Sequence, residues 1–84
     1  MKEGKWIEFI DFSKPGNKTS IFLVKNKENK TELGWIKWYG AFRKYAFFPY
    51  ENMVFESTCM KDITNALDEL MLNRKLAKQM NTEF

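Results

Sequence analysis

The chain has 84 residues, a net charge of +3, 17% aromatic side chains, one cysteine and no histidine. A chain of this length buries only about 60% of its unfolded surface, so it is read as one domain, 1–84, with a core dense in large side chains. Without histidine or a second cysteine it has no Cys/His zinc cluster, no thiol–imidazole nucleophile pair, no imidazole acid–base group and no internal disulfide.

The remaining catalytic signatures are missing as well. The four glycines, at 4, 16, 34 and 40, do not form a phosphate-cradling loop. The carboxylates have no recognisable metal or acid–base spacing, and Asp68 and Glu69 read as a solvated pair. The expectation is a protein with no catalytic residues, no metal and no cofactor. A lone cysteine, Cys59, reads as a small core hydrophobe. With no signal segment and no apolar run near 18 residues, the chain is expected in the cytoplasm and off the membrane.

Charge is unevenly spread. Residues 1–50 hold ten lysines and arginines against five acids, and residues 51–84 hold four against six. The first part, which carries the strand patterns, therefore favours an anionic partner.

In chain order, Lys5–Phe12 is apolar beyond strict alternation and predicts a central or well-packed strand. Ser13–Asn17 carries proline, glycine and asparagine and predicts a turn. Thr19–Lys25 predicts a second strand, and Asn26–Lys30 a polar connection. Leu33–Pro49 then reads as a β-hairpin, because aromatic and β-branched residues flank Gly40 and Ala41, a pair suited to a two-residue type II′ turn. That turn places Lys37 directly opposite Lys44. It also puts Leu33, Trp35, Lys37, Tyr39, Phe42, Lys44, Ala46 and Phe48 on one face, and Gly34, Ile36, Trp38, Arg43, Tyr45 and Phe47 on the other. Facing lysines call for an offsetting anion, either a carboxylate such as Glu8 or Asp11 or a ligand phosphate. Trp38 beside Arg43 suggests a cation–π pair. Met53–Phe55 is a candidate fifth strand.

Ser57 or Thr58 offers an N-cap hydroxyl, Asp62 an anion near the helix start, and Arg74, Lys75 and Lys78 cations toward its end, which predicts a helix over about 58–80. Cys59, Met60, Ile63, Ala66, Leu67, Leu70 and Ala77 form its apolar stripe. Leu72, Leu76 and Met80 fall nearly opposite and make a candidate protein-interaction strip, either for a partner or for a homodimer through this helix. The fold class expected is α+β: an antiparallel meander of four to five strands over about 5–56. The helix packs on the face of Gly34, Ile36, Tyr45 and Phe47, where Gly34 lets it come close.

That architecture leaves Trp35, Lys37, Tyr39, Phe42 and Lys44 open, with Arg43 nearby. Rings on an open sheet can stack bases while lysine and arginine hold phosphates, so these six residues are the candidate binding site for DNA or RNA, or alternatively for a protein partner.

The motif Leu33-Gly34-x-Ile36-Lys37-Trp38-Tyr39-x-x-Phe42-Arg43-x-Tyr45-x-Phe47-x-Pro49, followed by Cys59-Met60-x-Asp62-Ile63, resembles a pattern in small uncharacterised bacteriophage and mobile-element proteins. In those relatives tryptophan is expected where Phe42 stands. The resemblance covers about residues 33–63 and implies a phage or mobile-element origin in a bacterial host, with no activity attached. It brings in a second partner class, a host protein blocked by an inhibitor of the anti-defence or anti-CRISPR type.

Overall fold

The computed structural model describes residues 3–82, with side chains through Lys78. Four strands, β1 (Ile7–Asp11), β2 (Phe22–Asn26), β3 (Glu32–Tyr39) and β4 (Lys44–Pro49), precede one helix, α1 (Ser57–Thr82). The strands form one antiparallel sheet in the order β1-β2-β3-β4, so the fold is α+β, a meander with a C-terminal helix. Among the described residues Met53–Phe55 adds no fifth strand. β1 is an edge strand, so of the two readings of its apolar content, central or well-packed, the central one does not hold. Ile7 is fully buried under the helix, while Trp6 and Ile10 remain 40% and 36% exposed.

The side chains that alternate toward α1 build the core. Ile7, Phe22, Val24, Ile36 and Tyr45 from the sheet meet Ile63, Ala66 and Leu70 from the helix, with Phe47, Leu67 and Met71 packed around them. Ile7, Ile36, Ile63 and Val24 are essentially sealed from water. Each such side chain contributes about 1.5–3 kcal/mol relative to remaining exposed. Helix residues 63, 66 and 70 follow the three-to-four spacing of one stripe. Met60 and Ala77, assigned to that stripe by periodicity, are exposed, and Met71 takes a place in it. A 26-residue helix is about 39 Å long at 1.5 Å per residue, longer than any of these strands.

The hairpin departs from the two-residue turn. Tyr39 pairs with Lys44, Trp38 with Tyr45, Lys37 with Ala46 and Ile36 with Phe47, leaving the four-residue loop Gly40–Arg43. Phe42 N–H donates to Tyr39 O and Arg43 N–H to Gly40 O, both at 3.2 Å, and Arg43 closes the loop at φ 53°. Gly40 is not in the left-handed region, so the feature that suggested type II′ is unused. The slip is of two residues, an even number, and so it moves no strand residue to the other face by itself.

Two further positions differ from expectation. Between the Val24–Gly34 and Lys25–Glu32 pairs, Leu33 is the extra residue of a β-bulge, which turns it into the core at 8% exposed instead of leaving it on the open face. Gly34 is required by β4 and not by the helix: at φ 155° a Cβ would strike the Phe48 carbonyl oxygen and lie 2.7 Å from Pro49 Cα.

The helix start is likewise capped by an unexpected residue. The Glu56 carboxylate accepts from Thr58 N–H at 3.0 Å and Cys59 N–H at 2.7 Å, the positions an N-cap side chain serves, and neither Ser57 nor Thr58 does so. These two backbone bonds hold its carboxyl pKa down to about 2. Asp62 lies beyond the first turn, against Gly4 and within 3.4 Å of the Trp6 N–H.

Candidate nucleic-acid interface

The side of the sheet away from α1 carries Trp35, Lys37 and Tyr39 from β3 and Lys44, Ala46 and Phe48 from β4, continued by Leu23 and Lys25 on β2 and by Glu8 and Ile10 on β1. Its charges divide along the strands. Lys30 Nζ bridges Glu8 at 3.1 Å, Lys25 stands opposite Glu32, and Asp11 accepts from the Ser13 backbone N–H at 2.7 Å. Neither Glu8 nor Asp11 neutralises the hairpin lysines. Among the described residues, no carboxylate lies within ion-pair distance of Lys37 or Lys44, and both are exposed. They are diagonal neighbours, because the four-residue loop sets Lys37 opposite Ala46 and Lys44 opposite Tyr39. The direct repulsion inferred from the shorter turn is therefore absent. Lys37 Nζ sits 4.7 Å from the centre of the Phe48 ring, a cation–π contact that keeps the ammonium on this face.

The rings form two groups. Trp35 donates its indole N–H to the Tyr50 hydroxyl at 2.7 Å and meets Phe12 edge-on at 5.4 Å, which fixes it in place. At the hairpin end, Tyr39 lies 4.7 Å from Phe42 and 5.8 Å from Phe48. Phe42, in the loop, is 70% exposed and is the most accessible ring of the group, with Tyr39 at 36%. Five of the six residues assigned from sequence, Trp35, Lys37, Tyr39, Phe42 and Lys44, thus lie on or at the rim of one face.

Arg43 is the exception. It lines a cleft of about 990 Å³ between the β3–β4 loop and the C-terminal half of α1, together with Trp38, Met71 and Leu72 and the cations Arg74, Lys75 and Lys78. The pair expected between Trp38 and Arg43 is made by Arg74 instead, whose guanidinium sits 4.2 Å from the centre of the Trp38 ring. The Tyr45 ring meets that of Trp38 in an edge-to-face contact at 5.4 Å, and Tyr45 donates its backbone N–H to Met71 Sδ at 3.4 Å. Sequence reasoning placed these helix cations only as C-terminal dipole partners. None falls in the last turn, and the signal that could have found them is their joint spacing at 74, 75 and 78 on one side of the helix.

Leu72 and Leu76 are 55% and 48% exposed, and the side chain of Met80 lies outside the described residues. Among the described residues no acidic, cysteine or histidine cluster is placed to hold a metal, and no helix is long and apolar enough to cross a membrane.

The chain is 35% identical over 75 residues to an uncharacterised 9.3 kDa protein of Acholeplasma phage L2, covering 89% of this chain and 96% of that one. The chain belongs to that family of small phage proteins. No protein-family model and no solved structure matches it. In this phage protein the hairpin carries the basic and aromatic side chains just described.

Proposed function

We propose that this phage protein is a non-enzymatic accessory protein that binds nucleic acid through the open face of its hairpin. The observation that carries the reading is the pair Lys37 and Lys44. Both are exposed on the face the helix leaves bare, without a carboxylate in reach among the described residues, beside the accessible rings of Tyr39 and Phe42. Cations positioned in this way hold phosphates by displacing condensed counterions, and each stacked base adds about 1–3 kcal/mol.

The test is a salt titration with generic single- and double-stranded oligonucleotides. Binding should weaken linearly in log–log form, and Lys37→Glu with Lys44→Glu should reduce the slope by at least about 1.4, at ~0.7 per phosphate on a single strand. Absence of binding at low salt, or a slope untouched by the double variant, overturns the reading.

One observation favours a second reading. The C-terminal half of α1 presents Leu72 and Leu76 half-exposed, four residues apart, as in helices that dock on a host protein or on a second copy. In that case the protein acts as an inhibitor of a host factor, of the anti-defence kind, or as a homodimer. Leu76→Asp discriminates, since Leu76 lies outside the cleft. Loss of a co-purifying bacterial partner or of dimer mass supports this second reading, and unchanged mass and recovery remove it.

A further inference from the structure

We propose that the cleft between the Gly40–Arg43 loop and α1 holds one nucleotide unit, its base against Trp38 and Met71 and its phosphate held by Arg43, Lys75 and Lys78. The inference rests on the nucleic-acid reading only for the longer ligand, a single strand that continues from the open face around the hairpin tip.

Among the described residues four cations and no carboxylate line this cleft, whereas Lys27 and Lys30 elsewhere on the molecule are bridged to Glu3 and Glu8. A lining of one sign within low-dielectric walls concentrates anions. The lining is also partly apolar. Inorganic phosphate or a duplex backbone makes no use of the Trp38 ring, Met71 and Leu72, but a base does, and small-ligand sites combine such surface with a few convergent polar groups in about 300–1,000 Å³. The guanidinium of Arg74 lies 4.2 Å from the Trp38 ring centre and Tyr45 meets that ring at 82°, so the indole is oriented before a ligand arrives. Arg74 is accordingly a positioning residue.

Phe42 precedes Arg43 in the loop and packs on Tyr39 of the open face, so neighbouring residues of one loop serve the two surfaces. A strand whose bases meet Tyr39 and Phe42 has its next phosphate at the mouth of the cleft. A duplex is too stiff to turn around a four-residue loop, which makes single-stranded nucleic acid the ligand.

The experiment uses the full chain with Trp6→Phe and Trp35→Phe, leaving Trp38 as the fluorescent reporter. Adenosine 5′-monophosphate should quench Trp38 saturably at low salt, at least about tenfold more tightly than adenosine, inorganic phosphate or oligoglutamate, because only the nucleotide uses both linings. Arg43→Gln with Lys75→Gln should weaken the nucleotide about tenfold and, with the native tryptophans restored, lower the salt slope for single strands by about 1.4 without moving the thermal midpoint. Lys37→Glu with Lys44→Glu should leave nucleotide quenching intact. Retained nucleotide quenching in a chain that binds no oligonucleotide supports the cleft while removing the open-face reading. Oligonucleotide binding with no effect of Arg43→Gln and Lys75→Gln does the reverse. Phosphate or oligoglutamate binding as tightly as the nucleotide overturns the nucleotide assignment.

Discussion

Replacing Gly34 by alanine should be among the most damaging single changes in the sheet, and replacing Gly40 among the mildest. At Gly34 the added methyl meets the Phe48 carbonyl and Pro49 Cα, both backbone atoms of the paired strand, and stands 3.0 Å from Phe47 Cε1. Overpacking of this kind costs about 1–3 kcal/mol, and holding an L-residue at an unfavourable φ adds about 1–3 kcal/mol more. A chain of 84 residues has about 4–12 kcal/mol in total at ~0.05–0.15 per residue, so the substitution removes a large share of it. At Gly40 a methyl meets nothing within 4 Å and φ is ordinary, so Gly40→Ala should be neutral or stabilise by about 0.4–1 kcal/mol through the unfolded chain. Urea unfolding followed by tryptophan fluorescence reads both. With a slope near 1 kcal/mol per molar, the Gly34→Ala midpoint should fall by about 2 M or more. A Gly34→Ala midpoint within about 0.5 M of the parent, or Gly40→Ala proving the worse of the two, would refute the four-residue loop and the bulged register together.

Further expectations concern the helix. Ile63 is 2% exposed between helix and sheet, so Ile63→Ala should cost about 2–5 kcal/mol in the same urea assay. Glu56 titrates near 2 when folded against 4.5 ordinarily, so the stability its carboxylate provides is complete above pH 4.5 and is lost as pH falls from there toward 2. Thermal midpoints measured across that interval should drop less steeply in Glu56→Gln, which should also melt earlier than the parent at neutral pH. Burial, helped by the nearby Glu56 carboxylate, pushes the Cys59 thiol up, so iodoacetamide should label it more slowly in the folded chain than in urea.

The two faces of the hairpin were legible in the residues although its turn was not. Side chains in a strand alternate with period two, so an error of two residues in loop length moves the partner of every residue and the side of none. The loop itself was hidden because Arg43, a residue with no particular preference for the left-handed region, occupies it, while Gly40 does not use the freedom glycine has. Leu33 was misplaced because a bulge leaves no mark in the hydrophobic pattern. Glu56 was overlooked as the cap because Ser57 and Thr58 are the favoured types and stand next to it. Of the candidate site, the open-face residues followed from alternation, but the cleft depends on Arg74 meeting Trp38, 36 positions earlier, a contact fixed only once the helix is docked.

Each strand of this sheet pairs with the one synthesised just before it, with no crossover to wait for. Sheet assembly can therefore track emergence from the ribosome, as short loops close quickly and long-range pairing is the slow step in β-rich chains. The helix comes last, and until it settles, the side holding Ile7, Val24 and Ile36 is uncovered. Chains stopped before Ser57 should consequently clump.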